Sequence, residues 1–193
     1  MHRVWPDRDG NISYLLTLCV EHRARVLAAD DILDRLAAFL LDSPVRYGWF
    51  GRRFVIMPDH LHLIAHQGPN AIRLGQWIRA LKVVVGGLKP RVGQPAGGPA
   101  LTRIARAWRW QEGFHDHKLR TPESETRKWA YVCLNPVRYG LVQQPEEWPY
   151  GGETYHDEPG GPRFVRGTPP LLEAGMLIQD DDPPRGGTRP TTR

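Results

Sequence analysis

The chain has 193 residues, enough for one domain with a sizeable core. Its formal net charge of +5 is unevenly distributed: residues 151–193 carry seven acidic and five basic side chains, which leaves +7 for residues 1–150. A basic body favours a polyanionic partner, although charge alone does not separate nucleic acid from an acidic membrane or from an ordinary basic protein.

Several protein classes are disfavoured by the composition. The two cysteines form no CxxC pair, so neither a zinc ribbon nor a disulfide framework is indicated. The N-terminal residues have no apolar signal region, and no apolar run approaches the roughly 20 residues that span a bilayer. We therefore expect a soluble, cytoplasmic protein with no membrane partner.

Apolar periodicity and turn residues predict alternating strands and helices. The predicted elements are a strand at 13–20, a helix at 31–41, strands within 45–57 and 61–65, a helix at 71–88, an extended segment at 106–120 and a helix from 121 to about 135. Pro44 is expected to end the first helix. This order predicts an α+β fold: a ferredoxin-like or RRM-like antiparallel sheet with helices packed on one face.

The composition changes after Tyr150, where Gly and Pro dominate and apolar periodicity is lost. We therefore predict a domain at 1–152 and a Pro- and Gly-rich tail at 153–193 that is partly disordered. Within that tail, only residues 171–178 have the pattern of a short docked element.

Two histidines share one face of a predicted strand. Side chains alternate along a strand, so His60 and His62 project to one side while Leu61 and Leu63 project to the other. Side-by-side imidazoles suit a divalent metal. His66 has the same parity but lies about 13 Å beyond His62, too far to join the same ion. The alternative is a pair of half-exposed histidines on a solvated strand, because the His-x-His motif is short.

A tyrosine and an asparagine are spaced one helical turn apart. Tyr131 and Asn135 are i and i+4, and Arg127 and Lys128 precede them by a further turn. A phenol is a weak nucleophile unless something favours the phenolate, which nearby cations or a metal would do. An Asn oxygen is an acceptable ligand for a hard cation. The alternative is that Tyr131 packs in the core and Asn135 caps the helix.

Four sequence runs together resemble a known family. They are, in chain order, MPDHLHLI, WQEGFHDHKLR, AYVCLNPVRYGLV and PEEWPY. His60-Leu61-His62 is similar to the paired histidines of the HUH nucleases, and the ordered set resembles the REP-associated tyrosine transposases. The sequence departs from the family pattern at His115, where an aromatic residue is commoner, and at Tyr139, where a small residue is commoner.

The resemblance implies a single-tyrosine HUH transposase. In that family the histidine pair binds Mg²⁺ or Mn²⁺, which points to His60 and His62, with Asn135 thought to complete the site. The tyrosine four residues before that Asn is the nucleophile, which points to Tyr131. The implied reaction cuts one DNA strand, leaves a 5′-phosphotyrosine and rejoins strands, on single-stranded or hairpin DNA. Tyr139 follows Pro136 in an expected turn and is not chosen.

His117 occupies a position of the family motif but has no assigned role. The predicted DNA contacts are basic residues that lie off the apolar stripes of the helices. The predicted contacts are Arg79, Lys82, Lys118, Arg120 and Arg127. A monomer or a homodimer is expected. Three alternatives remain open: an RRM-like binding module without catalysis, a replication initiator or relaxase of the HUH superfamily, and an unrelated metal hydrolase that does not need Tyr131.

Overall fold

The computed structural model describes residues 12–86, 108–119, 121–156 and 161–168. The strands are β1 Ser13–Cys19, β2 Trp49–Ile56, β3 His60–Gln67, β4 His115–Leu119, β5 Gly151–Tyr155 and β6 Arg163–Arg166. The helices are α1 Asp30–Tyr47, α2 Leu74–Val85, α3 Pro122–Cys133 and the short α4 Asn135–Arg138. The strands form one six-stranded sheet in the order β4-β1-β3-β2-β5-β6, with every pair antiparallel.

The first four strands and two helices follow one another as β1-α1-β2-β3-α2-β4 and give the order β4-β1-β3-β2 across the sheet. This arrangement confirms the predicted α+β class, an antiparallel sheet with helices packed on it. The hairpin β5–β6 extends the sheet beyond the β2 edge.

The two faces of the sheet bury different helices. Leu61 and Leu63 point to the face covered by α1 and α2, where the larger core lies. Ile64 has the opposite parity and packs with Trp129 and Val132 of α3. The prediction that the helices lie on one face is therefore wrong for α3. We call the face that carries His60, His62 and Ile64 the histidine face.

Helix α1 continues through Pro44, contrary to the prediction, and ends at Gly48 in the left-handed conformation, with φ 71°. Packing on both sides of the proline accounts for the continuation. Ser43 is buried, and its hydroxyl accepts a hydrogen bond from Trp77 Nε1 at 3.0 Å. The ring centre of Tyr47 lies 5.6 Å from that of Phe39, which belongs to the same helix. These contacts offset the one backbone hydrogen bond that the proline cannot donate.

The C-terminal region contributes to the sheet, so the predicted boundary between residues 152 and 153 falls inside β5. Arg53 of β2 pairs in register with Glu153, and their side chains form an ion pair at 2.8 Å. Strand β6 lies wholly within the segment predicted to be a tail, and Phe164 stacks on Phe54 with ring centres 5.8 Å apart. The predicted element at 171–178 lies outside the described residues.

Helix α3 begins as predicted. Thr121 Oγ1 accepts a hydrogen bond from the Ser124 amide at 3.1 Å, and Pro122 occupies the first turn. The helical path breaks only at Leu134, after which α4 begins at Asn135 with Pro136 in its first turn. A proline is tolerated there because the first amides of a helix have no intrahelical acceptor.

Candidate active site

The β2–β3 hairpin places two histidines at the start of β3. His60 is 4% exposed and His62 is partly buried, and their rings meet edge to face with centres 4.7 Å apart. Strand β1 supports the pair from one side, because Thr17 lies opposite His62 and Cys19 lies opposite His60. The predicted common face of the two imidazoles is thus present in the fold.

Each histidine is held through its Nδ1 atom. Asp59 Oδ1 lies 2.7 Å from His60 Nδ1, and Thr17 Oγ1 lies 2.9 Å from His62 Nδ1. A carboxylate can only accept, so His60 must donate its Nδ1 proton to Asp59 and, when neutral, carries a lone pair on Nε2. Thr17 can donate or accept and therefore serves either tautomer of His62.

The two Nε2 atoms face each other at 3.1 Å. Two ligands about 2.1 Å from one octahedral ion, at a right angle, are about 3.0 Å apart. The spacing in the structure therefore fits two adjacent positions of one coordination sphere. Fixing a ligand histidine through its other ring nitrogen is also the usual way in which a protein orients a metal-binding imidazole.

Both imidazoles are held in the neutral form. Burial lowers the pKa of His62 to about 3, with the neighbouring His60 and Arg23 adding to the effect. Burial also lowers the pKa of His60, against the opposing influence of its hydrogen bond to Asp59. Neutral imidazoles are the form that binds a metal ion, so the pair is ready to act as ligands near pH 7.

The residues that surround the pair were not predicted from the sequence. Arg23 Nε lies 2.6 Å from Asp59 Oδ2, and its Nη1 donates to Cys19 Sγ at 3.2 Å. The backbone after β1 is tied to the β2–β3 turn, with the Val20 amide donating to the Asp59 carbonyl at 2.9 Å. The Pro-Asp dipeptide before His60 was the one available signal, and it pointed to no specific contact.

The segment that carries Arg23 has an uncommon backbone. His22 and Arg23 both have positive φ, at 54° and 53°, a backbone conformation that residues other than glycine rarely adopt. Such a conformation costs about 1 kcal/mol or more at each residue. The surrounding contacts of Arg23 with Asp59 and Cys19 hold it in place, so the strain is concentrated beside the histidine pair.

The asparagine predicted to complete the metal site is buried near the pair. Asn135 is 4% exposed, and its Nδ2 has no hydrogen-bond partner among the described residues. The Tyr139 amide donates to the Asn135 carbonyl at 2.9 Å, and the Tyr139 ring lies 6.0 Å from the His60 ring. Helix α4 is therefore at the histidine end of β3, and the buried amide with an unused donor fits a polar site.

Tyr131 lies on the outer side of α3 and is 50% exposed, so it differs sharply in burial from Asn135 one turn later. The alternative in which Tyr131 packs in the core is therefore wrong. The cation beside its ring is Arg138, whose guanidinium carbon lies 4.4 Å from the ring centre. Sequence analysis had instead expected Arg127 and Lys128 to supply this charge.

Tyr139 lies in a turn after Pro136, as predicted, but this turn closes helix α4, which sets the spacing of Tyr139 to Asn135. It is the C-cap of α4, and its amide closes the last turn onto Asn135. Of the two tyrosines, Tyr139 is the one whose ring contacts a histidine of the pair.

The predicted DNA-contacting residues are spread over both faces. Arg79 and Lys82 are on α2, on the opposite side of the sheet from the histidines. Lys118 pairs in register with Tyr14, which packs against that same core. Arg127 is exposed on α3, and it is the one residue of the described four that lies on the histidine side. Arg120 lies outside the described residues.

Lys82 has a role within the fold. Its ammonium group donates to the Gln111 carbonyl at 2.8 Å and also to the Gly113 carbonyl. Burial lowers its pKa. The side chain therefore links α2 to the loop before β4, and its ammonium group is already engaged by these two carbonyl groups.

Strand β4 places two more histidines on the histidine face. His115 lies opposite Thr17, and His117 lies opposite Leu15. Both are exposed. At the other end of the same face, His66 Nε2 lies 3.7 Å from Glu125 Oε1 of α3, and its Nδ1 lies 2.8 Å from Ser13 Oγ. His66 thus docks α3 on the sheet, consistent with its predicted separation from the pair.

Comparison with known proteins gives two relatives of one kind. A Haemophilus influenzae protein with the provisional name REP-associated tyrosine transposase is 23% identical over 155 residues, covering 77% of this chain and 87% of its own length. The REP-associated tyrosine transposase of Escherichia coli K12 is 32% identical over 66 residues, covering 34% of this chain and 36% of its own length. The sequence of this chain is thus similar to two proteins that carry the name REP-associated tyrosine transposase.

A solved structure supports the same relationship at the level of the fold. The REP-associated tyrosine transposase bound to a REP hairpin matches with a TM-score of 0.55 at 19% identity, over 72% of this chain and 75% of that one. No protein-family model matches the sequence. The likeness to this solved structure shows that the fold is shared.

Two features are absent from the described residues. These residues contain no helix long and apolar enough to cross a bilayer. The same part of the chain has no group of three or more His, Cys, Asp or Glu side chains suited to a metal ion.

Proposed function

We propose that this protein is a metal-dependent single-strand DNA endonuclease and transposase that cleaves and rejoins DNA through a 5′-phosphotyrosine at Tyr131. The observation that carries the proposal is the histidine pair, whose two Nε2 atoms meet at 3.1 Å with both rings anchored from behind. An exposed tyrosine stands on the helix that packs against the same face.

The proposed metal is Mg²⁺ or Mn²⁺, held by His60 and His62 with the Asn135 side chain. A bound divalent ion would supply Lewis-acid polarisation of the scissile phosphate. The protein's own contribution is to keep both imidazoles neutral and oriented, through Asp59 and Thr17. Asn135 would bind the ion through its side-chain oxygen. Its buried Nδ2, which has no hydrogen-bond partner among the described residues, is left to donate to bound DNA.

The proposed chemistry is a direct displacement at phosphorus. The Tyr131 oxygen forms a bond to phosphorus as the bond to the 3′ oxygen breaks, and the leaving oxygen takes a proton to become a free 3′-hydroxyl. Arg138 lies over the ring and places a positive charge beside the proposed nucleophile. Attack by a second 3′-hydroxyl reverses the step, rejoins a strand and releases the tyrosine.

Hairpin-forming repeats are the proposed substrate. The solved neighbour is a REP-associated tyrosine transposase bound to a REP hairpin, and this chain shares its fold. The body of the chain is basic, with a net charge of +7 over residues 1–150, which suits a polyanion. Single-stranded DNA at the cleavage point is expected because its backbone can reach a recessed metal site.

A covalent-trapping experiment tests the nucleophile. Wild type, Tyr131→Phe and a control, Tyr47→Phe on the opposite face of the sheet, are incubated with Mn²⁺ and a 3′-labelled hairpin oligonucleotide. A denaturing gel should show label on wild type and Tyr47→Phe only, because the 5′-phosphotyrosine fragment retains the 3′ end. Label on Tyr131→Phe would assign another nucleophile. Cleavage without labelled protein would favour a metal hydrolase.

Calorimetric titration with Mn²⁺ tests the metal ligands. The His60→Ala/His62→Ala double variant should lose binding, while substitution of the exposed His117 by Ala should leave binding close to wild type. Equal affinity of the double variant and wild type would contradict the proposed metal site. Loss of metal binding together with retained hairpin binding would separate the metal site from DNA recognition.

A further inference from the structure

We propose that Tyr139 is a base-stacking residue for the DNA strand at the histidine pair. This inference rests on the proposed function, since it assigns the contact made by a nucleotide next to the cleaved phosphate. The observation behind it is that a half-exposed aromatic ring lies directly against a histidine of the pair.

The position of Tyr139 joins two properties that an ordinary packed tyrosine does not combine. Its ring centre lies 6.0 Å from that of His60, with a tilt of 50° between the planes. It is nevertheless 54% exposed, one of the few large hydrophobic side chains in the described residues that remain so open. An exposed aromatic surface beside a site built for phosphate chemistry offers a face on which a base can stack.

The backbone under Tyr139 is rigidly placed. Its amide donates to the Asn135 carbonyl, and the Leu141 amide donates to the Pro136 carbonyl, both at 2.9 Å. Gly140 then ends the helix with φ 64°. Asn135 and Pro136 are buried at the base of this turn. A ring on such a support loses little conformational freedom when a base stacks on it.

The chemistry of a strand at the site brings a base to this ring. A base and its own phosphate are joined through a single sugar, so a phosphate held at His60 and His62 carries a base into the neighbourhood of Tyr139. Stacking uses the π face common to all bases and does not read sequence. The predicted contribution is therefore to affinity for single strands, with the phenolic hydroxyl not required.

The test compares two probes that have the same phosphates. Fluorescence anisotropy is measured with labelled oligothymidylate and with an abasic oligomer of equal length, which lacks only the bases. Tyr139→Ala should weaken oligothymidylate binding about 5- to 150-fold, the factor for one base stacked on one aromatic ring. Tyr139→Phe should bind like wild type. Binding of the abasic oligomer should be the same for all three proteins.

Two controls separate stacking from other roles. Arg127→Ala should weaken both probes alike, as loss of a phosphate contact does. Tyr139→Leu fills the space without a π face and should match Tyr139→Ala, which keeps the inference testable if the alanine variant folds poorly. Equal losses on both probes, or no loss on either, would overturn the stacking role.

The outcome is also distinguishable from failure of the proposed function. Wild type that binds oligothymidylate in a Tyr139-dependent way yet forms no covalent complex with the hairpin would contradict the nuclease and keep the stacking residue. Label that persists on Tyr131→Phe and vanishes in Tyr131→Phe/Tyr139→Phe would make Tyr139 a nucleophile, which would overturn its assignment as a stacking residue.

Discussion

The guanidinium of Arg138 lies over the ring of Tyr131, 4.4 Å from its centre. The two residues belong to different helices, α4 and α3, which are joined by Leu134 with right-handed helical torsion angles, φ −78° and ψ −10°. A cation over an aromatic face is held by attraction to the electrons of the ring, and here it places a positive charge near the oxygen of the proposed nucleophile. Arg138 thus contacts the proposed nucleophile, Tyr131, and the adjacent Tyr139 contacts a proposed metal ligand, His60.

Arg138→Ala should slow formation of the covalent complex about 5- to 30-fold, which corresponds to about 1–2 kcal/mol for a cation near an aromatic ring. Arg138→Lys should recover part of the rate, because an ammonium group keeps the charge but not the planar stack. Single-turnover kinetics with saturating hairpin separates this effect from DNA affinity. A rate for Arg138→Ala equal to that of wild type would show that the cation is only structural.

Asp59→Asn should weaken Mn²⁺ binding about 10- to 100-fold, the usual effect of removing a group that orients a ligand histidine. Asp59 accepts a hydrogen bond from His60 and forms an ion pair with Arg23 at 2.6 Å. The substitution therefore affects both the orientation and the basicity of the His60 ring. Asp116→Asn, on the exposed strand β4, is the matched control. Calorimetry with Mn²⁺ measures the affinities, and near-equal values for the two variants would count against the role of Asp59.

Acid should destabilise the metal-free protein through His62. Its folded-state pKa is about 3 because of burial, whereas an unfolded histidine titrates near 6.5. Between these two pKa values the unfolded chain binds a proton that the folded protein does not. The contribution of neutral, buried His62 to the free energy of unfolding is therefore complete above about pH 6.5 and is lost as the pH falls toward 3. Thermal melts of wild type and His62→Gln across this range should show a weaker pH dependence for the variant. Melting temperatures that fall equally with pH in wild type and His62→Gln would contradict this role of His62.

Lys82 and Arg127 should behave differently although sequence analysis placed both in the DNA interface. Lys82→Ala should lower stability by about 1–2 kcal/mol, through loss of its bonds to the Gln111 and Gly113 carbonyls, with little change in the salt dependence of DNA binding. Arg127→Ala should leave stability unchanged and reduce the slope of log K against log salt by about 0.7. Thermal melts and salt titrations measure both effects, and the reverse pattern would refute the division.

The local elements were predictable because their signals are local. Alternation along a strand places His60 and His62 on one face, and Thr121 with Pro122 marks the start of α3. The tertiary structure alone decided which face α3 covers, since hydrophobic burial is non-directional and Trp129 could have packed on either side. The same holds for the groups around the pair: Thr17, Arg23 and Arg138 come from separate segments that meet only when the sheet forms and α4 docks beside it. Periodicity fixes the direction of a side chain relative to its own element, whereas its neighbours depend on the packing of elements far apart in the chain.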